Sequence, residues 1–135
     1  MFLNHDASRT SNDCYVCEIP AGAKLAPQRQ LFEEMIYVLD GRGSTSVWNE
    51  AGRRITFEWK AGALFAIPLN VKYRHFNASG RERALLANST NLPLVMNTFM
   101  NERFIFESDF DFIERMGKTE YYSGEGEMSE VKQAW

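Results

Sequence analysis

The sequence predicts an all-β sandwich or barrel. Short apolar runs alternate with turns rich in Gly, Pro and Asn from Cys14 to Asn88, and no helical period of useful length precedes the C-terminal part. Short strands at regular spacing between such turns are typical of these folds. A chain of 135 residues is long enough for one domain with a proper buried core.

Each apolar run is bounded by a turn signal, so the strands can be placed in order. The predicted strands are Cys14–Ile19, Met35–Leu39, Ser44–Trp48, Arg54–Trp59, Ala63–Ile67, Val71–Asn77 and Arg83–Asn88. Ser108 or Asp109 is expected to cap a short helix that runs to Met116 and stops at Gly117. We therefore expect an N-terminal arm over 1–13, a barrel over 14–100, and a C-terminal extension over 101–135 with a short helix and a mobile tail.

Charge and composition exclude several functional classes. The formal net charge is −3 with both signs mixed along the chain, whereas a nucleic-acid binder needs a basic face. No run of about 18 apolar residues is present, so we expect no membrane partner. The N-terminus lacks the basic start and apolar stretch of a secretory signal, which predicts a cytoplasmic protein. Cys14 and Cys17 form a C-x-x-C pair on a predicted strand and are interpreted as ordinary strand thiols.

The segment from Gly22 to Gly41 is the most informative stretch. It is predicted as a loop, a strand carrying Gln28, Gln30 and Glu34, and then the apolar strand that ends at the Asp40-Gly41 turn. Positions 28, 30 and 34 share parity, so an extended backbone would send all three side chains to one face. Polar groups that point inward cost free energy unless they are partnered, and such a cluster usually lines a site.

Two motifs in this region resemble those of the cupin superfamily, which consists of double-stranded β-helix barrels of the jelly-roll kind. The first cupin motif is G, five residues, H-x-H, three or four residues, E, six residues, G; the second is G, five residues, P-x-G, two residues, H, three residues, N. This chain keeps both spacings over residues 22–77, and its FEW, LFAIPLN and HFN stretches look like those of small single-domain bacterial cupins. The matching positions are Gly22, Gln28, Gln30, Glu34 and Gly41, then Gly62, Pro68, Asn70, Tyr73 and Asn77.

The resemblance also shows where this chain departs from the family. In metal-dependent cupins the positions of Gln28, Gln30, Tyr73 and Glu34 supply three histidines and a glutamate to the metal. This chain has only two histidines, so a three-histidine site within one chain is impossible. Amide oxygens are weak neutral ligands that suit hard cations better than transition metals. We expect no cofactor; a divalent metal on Glu34, His75, Tyr73 and Gln30 is the alternative.

A metal-free interpretation gives the same residues acid–base roles. His75 has an unperturbed pKa near neutrality and is the natural proton carrier. Glu34 would orient its imidazole or act as the base, and Tyr73 would donate a proton to a leaving oxygen. These three residues are the catalytic candidates, and the candidates for substrate binding are Gln28, Gln30, Trp48, Phe65 and Asn77. Trp48 and Phe65 are assigned mainly to packing.

Three functions therefore remain open at this stage. The first is a metal-independent cupin enzyme that dehydrates, isomerises, epimerises or decarboxylates a small oxygenated metabolite. The second is a cupin that binds a small molecule without catalysis, and the third is a metal-dependent dioxygenase or decarboxylase with an altered ligand set. Exposed strand edges and the aromatic segment Phe99–Phe112 favour a homodimer.

Overall fold

Two antiparallel β-sheets face each other in this computed structural model, which describes residues 2–3 and 11–112. The larger sheet has the order β1-β2-β8-β3-β6 and the smaller has the order β5-β4-β7. The strands are β1 Phe2–Leu3, β2 Asp13–Ile19, β3 Glu34–Asp40, β4 Arg42–Trp48, β5 Arg54–Lys60, β6 Leu64–Ile67, β7 Lys72–Asn77 and β8 Ala84–Thr90. The all-β jelly-roll prediction is confirmed. The seven predicted strands match β2–β8 to within two residues at each end.

The hydrophobic core lies between the two sheets and follows the alternation of each strand. In β3, for example, Ile36 and Val38 are fully buried, whereas Met35 and Tyr37 are about half exposed on the outer face. The fully or almost fully buried apolar residues of this core are Ile19, Ile36, Val38, Val47, Trp59, Ile67, Val71, Tyr73, Ala84 and Leu86. Cys17 packs against the same core, and both cysteines are free thiols.

Left-handed backbone conformations occur at the turn positions of both cupin-like motifs. Gly22, Gly41 and Gly62 have φ values of 66°, 85° and 88°, and Asn70 has a φ of 56°. Asparagine tolerates this region better than most residues with a side chain. Asn70 can therefore make the turn that glycine makes in the cupin motif.

Two helices, α1 Leu92–Phe99 and α2 Glu102–Glu107, follow the last strand. The expected helix from Ser108 or Asp109 is corrected in part, because residues 108–112 are not helical; residues 113–116 of that prediction lie outside the described residues. Instead, the Asn101 side chain caps α2 by accepting a hydrogen bond from the Phe104 N–H at 3.1 Å. Neither described helix is long and apolar enough to cross a bilayer.

Helix α2 closes one end of the barrel. Ile105 is fully buried, and its carbonyl accepts a hydrogen bond from the Leu31 N–H at 2.8 Å. The rings of Phe32 and Phe106 meet edge to face with centroids 5.8 Å apart. These contacts hold the loop that precedes β3.

The predicted domain boundaries and the predicted homodimer stay predictions.

Substitution of Gly43 provides a test of how β4 packs. A Cβ at Gly43 would lie 2.1 Å from the Phe76 carbonyl oxygen and 2.4 Å from the Trp59 ring. We expect Gly43→Ala to lower the free energy of unfolding by more than about 3 kcal/mol, or to prevent folding, because neither neighbour can move without disturbing the sheet. Gly80→Ala, where nothing lies within 4 Å, is the matched control and should change it by less than about 0.5 kcal/mol. Urea denaturation followed by circular dichroism measures both, and equal effects would contradict the close packing.

Candidate functional site

The carboxylate of Glu34 lies inside the barrel and is surrounded by hydrogen-bond donors. Gln30 Nε2 donates to Glu34 Oε2 at 2.8 Å, and the Tyr15 hydroxyl donates to Oε1. The Tyr73 hydroxyl lies 3.0 Å from Glu34 Oε2 and 2.8 Å from Gln30 Oε1, so its single proton serves one of these acceptors at a time. We call these four residues the Glu34 cluster.

The Glu34 cluster draws on both sheets. Glu34 begins β3 and lies between Thr90 of β8 and Ile67 of β6, while Tyr15 comes from β2 in the same sheet. Tyr73 comes from β7 in the facing sheet. Burial raises the pKa of both tyrosines far above the usual value, and the negative charge of Glu34 raises it further. Both hydroxyls therefore stay protonated and act as donors.

The Glu34 cluster does not suit the metal centre that the resemblance implies. A protonated phenol and a neutral amide are poor ligands for transition metals, and three donors already occupy the carboxylate. Among the described residues, no group of three or more His, Cys, Asp or Glu side chains is placed to hold a metal ion.

Gln28 is exposed and does not join the cluster. Its backbone bridges Tyr73 through two hydrogen bonds of 2.9 Å, and Lys24 bridges Phe76. The step from Lys24 to Gln28 is four residues but the step from Phe76 to Tyr73 is three, so this segment contains one extra residue. That extra residue lies before Gln28, and residues 29–33, between Gln28 and Glu34, form no strand, so the predicted strand over this stretch and its alternation are absent. The expectation that Gln28 shares an inward face with Gln30 and Glu34 is therefore wrong.

His75 forms a second buried cluster with Thr45 and Trp59. Its Nδ1 lies 2.7 Å from the Thr45 hydroxyl oxygen, which also accepts a hydrogen bond from Trp59 Nε1 at 2.8 Å. Since the hydroxyl accepts from the indole, it can donate its own proton to Nδ1, and the neutral ring then carries its proton on Nε2. The inward orientation predicted for Tyr73 and His75 is confirmed, and their ring centroids are 5.2 Å apart.

Two expectations about His75 are corrected. Burial lowers its pKa to about 4, so the imidazole is neutral at physiological pH and does not titrate near neutrality. Its orientation is set by Thr45 rather than by Glu34. Burial removes the ring from water, and the hydrogen bond to Thr45 brings no negative charge to stabilise the imidazolium, so the neutral form is favoured.

Of the remaining site candidates, Asn77 and Trp48 lie apart from both clusters, whereas the Phe65 ring lies beside His75 with centroids 6.3 Å apart. The Asn77 amide nitrogen donates to the carbonyl oxygens of Ile19, Pro20 and Glu82 at 2.8–3.1 Å and so fixes a turn. Trp48 lies on the outer face of the three-stranded sheet, since its neighbour Val47 points into the core. Of these candidates, Phe65 is the one that faces open space within the sandwich, with its ring against Phe57 at 5.0 Å.

A cleft of about 910 Å³ opens between the edge strands β5 and β6. Its lining residues are Asn12, Glu33, Glu34, Met35, Phe57, Glu58, Trp59, Ala63, Leu64, Phe65, Ala66, Ile67, Pro68, Leu69, Ser89, Thr90 and Asn91. Glu34 and Phe65 are the two predicted site residues in this set.

Sequence reasoning missed Tyr15 and Thr45 as partners of the buried groups. Both lie at inward parity on their strands, so strand alternation was the signal that could have found them.

This architecture recurs in solved structures. The chain superposes on a Lactobacillus farciminis oxalate decarboxylase with a TM-score of 0.57 and 21% identity, over 63% of this chain and 25% of that one. The cupin domain of Schizosaccharomyces pombe Cnp3 gives 0.57 and 23%, over 67% of this chain and 58% of that one. The chain has the cupin fold. An oxalate oxidase is a further cupin neighbour, with a TM-score of 0.56 and 17% identity over 62% of this chain and 43% of that one.

These likenesses establish the cupin fold and leave the activity open. All three identities are below 25%, and the chain spans between a quarter and about three fifths of the neighbours' lengths. No protein-family profile matches the sequence. No curated protein matches it either.

The low pKa of His75 predicts a specific loss of stability in acid. The unfolded chain binds a proton at His75 below about pH 6.5, whereas the folded chain does so only below about pH 4. Falling pH across this window therefore favours unfolding, by about 3 kcal/mol in total from this residue. His75→Asn keeps an acceptor near the position of Nδ1 but does not titrate. Between pH 7 and pH 4 the free energy of unfolding of this variant should therefore fall by about 3 kcal/mol less than that of the unmodified protein. Denaturant unfolding at each pH measures the difference, and parallel curves would contradict the shifted pKa.

Proposed function

We propose that this chain is a metal-independent cupin that binds a small organic molecule in the cleft between β5 and β6. The hydrogen bonding of Glu34 carries the proposal. An ionised carboxylate offers about four acceptor sites; Tyr15 and Gln30 occupy two of them, and Tyr73 takes a third when its proton is directed to Glu34 rather than to Gln30. The one or two sites that remain are enough to accept a hydrogen bond from a ligand, and the neighbouring phenols and amide are poor partners for a metal centre.

The lining of the cleft favours a neutral or cationic ligand with an apolar body. Its lining residues include Glu33, Glu34 and Glu58, and no Lys, Arg or His is among the described lining residues. Glu58 has the outward parity of Arg54 on β5, so Glu33 and Glu34 are the acidic residues on which this preference depends. Phe57 and Phe65 provide aromatic walls, which attract both apolar groups and cations. An anion would meet negative charge and no donor cation.

Acid–base catalysis on the bound molecule is a second candidate function. The Tyr73 hydroxyl lies 3.0 Å from a carboxylate oxygen of Glu34, and Glu34 lines the cleft. A base and a proton donor in contact suit dehydration, isomerisation or decarboxylation of an oxygenated molecule. Under this candidate Tyr73→Phe and Glu34→Gln would retain ligand binding and lose turnover.

Metal analysis tests the main proposal against a metal-dependent cupin. We expect protein prepared without a His-tag or chelator to contain well under one equivalent of Mn, Fe, Ni or Zn, and to bind none of them at micromolar concentration. Tyr15→Phe removes one donor from Glu34 and frees a carboxylate lone pair, so it is the variant most able to gain metal affinity. Stoichiometric metal in the unmodified protein that is lost in Glu34→Ala would overturn the proposal.

Ligand binding in the cleft can be followed at Trp59, which lines it and whose indole N–H is hydrogen-bonded to Thr45. We expect millimolar benzylamine to shift the Trp59 indole N–H signal in an NMR titration, and benzoate to leave it unchanged, because acidic residues of the lining would repel the benzoate anion. Phe65→Ala removes an aromatic wall from the lining and should weaken benzylamine binding at least tenfold. Tyr37→Ala, which removes a half-exposed ring from the outer face of β3 outside the cleft, is the matched control. Equal shifts in both variants would place the binding elsewhere.

A further inference from the structure

A second, smaller groove of about 280 Å³ lies on the outer face of the three-stranded sheet. It is lined by Pro27, Ser46, Trp48, Arg54, Arg74 and Phe76, and it shares no lining residue with the cleft. Strand register places Arg74 opposite Ser46, and Arg54 opposite Trp48. Directly opposed residues have Cβ atoms about 5 Å apart, so both long arginine side chains can reach the same space beside the indole.

The charge of this groove is not neutralised by the described residues. No ion pair in that part of the chain involves Arg54 or Arg74. Glu50, the nearby carboxylate, pairs instead with Lys72 at 3.0 Å and Arg29 at 2.8 Å. The hydrogen bond from Lys72, with help from Arg29, holds the pKa of Glu50 below its usual range. Glu50 is thus committed to two other cations.

Arg54 and Arg74 are held mainly by packing. The Arg54 guanidinium carbon lies over the Trp48 ring at 4.8 Å from its centroid, which is a cation–π contact. Arg74 is half buried, and its Nε is a buried donor with no hydrogen-bond acceptor among the described residues. The N–H donors of an arginine guanidinium favour a planar acceptor, such as a carboxylate, that can take two hydrogen bonds at once.

We propose that this groove binds an organic oxyanion, a carboxylate or phosphate carried on a small flat apolar group. The two guanidinium groups would hold the anionic oxygens. Ser46, whose hydroxyl is hydrogen-bonded to that of Thr56 at 2.7 Å, lines the same groove. Trp48, Phe76 and Pro27 form the apolar walls for the rest of the molecule. The proposal does not rest on the function of the cleft, since the two sites share no residue and have opposite charge.

Titration of the full chain with benzoate, phenyl phosphate and benzyl alcohol tests this site. The three probes share a ring and differ in charge. We expect benzoate and phenyl phosphate to shift the indole N–H signal of Trp48 and the Nε–H signal of Arg74 in NMR spectra. The neutral alcohol should bind at least tenfold more weakly, and the Trp59 signal should not respond to the anions.

Single substitutions then separate a specific site from general attraction. Arg54→Gln and Arg74→Gln should each weaken binding of both anions at least tenfold, whereas Arg81→Gln, which removes the same charge from an exposed turn, should not change it. Arg74→Lys keeps the charge but not the paired donors, and should restore only part of the affinity. The proposal is overturned if the alcohol binds as well as the anions, if Arg81→Gln weakens binding equally, or if anion binding survives both arginine substitutions.

Discussion

The Glu34 carboxylate is buried between two sheets and must be surrounded by hydrogen-bond donors. This requirement relates four chain segments: β3, which carries Glu34, and the three segments that supply its donors. Removing a carboxylate from water costs several kcal/mol unless hydrogen bonds replace its hydration. At Glu34 those bonds come from β2, from the loop before β3 and from β7 in the facing sheet. The loop is held in turn, because the Gln30 carbonyl accepts from the Asn70 N–H at 2.9 Å and Leu31 is bonded to Ile105 of α2. The C-terminal helices thereby help to position a donor in the barrel centre.

The two buried polar clusters are adjacent but chemically different. The Glu34 cluster is built around a charge, and its tyrosines remain protonated because burial and that charge both raise their pKa. The His75 cluster is neutral, because burial lowers the pKa of the imidazole to about 4 and Thr45 supplies a donor to Nδ1. The rings of Tyr73 and His75 touch, but the imidazole makes no hydrogen bond to Glu34 in the described part of the chain. Any proton transfer at the cleft would therefore involve Tyr73 and Glu34 rather than His75.

Sequence reasoning succeeded where the backbone is regular and failed where it is not. In β7 strict alternation places Tyr73 and His75 inward as predicted, and the motif spacing correctly located the turns at Gly41 and Gly62. Between Gln28 and Glu34 the backbone is irregular rather than extended, so alternation does not relate the side chains of residues 28, 30 and 34, and a single sequence does not reveal such a break. Helix α1 was missed for another reason. It is only eight residues long, and periodicity alone does not distinguish an apolar run of that length from a strand.

Alternation in one edge strand also explains how two sites of opposite charge lie on one sheet. Phe57 and Trp59 of β5 face the interior and line the acidic cleft, whereas Arg54 of the same strand faces outward and lines the basic groove. The neighbouring strand does the same, since Thr45 supports His75 on the inside and Trp48 lies under Arg54 on the outside. Under the two proposals above, the acidic residues of the cleft would favour a cation and the two arginines of the groove would favour an anion. The proposed sites would then take ligands of different charge, because alternation along β5 separates the side chains that line them.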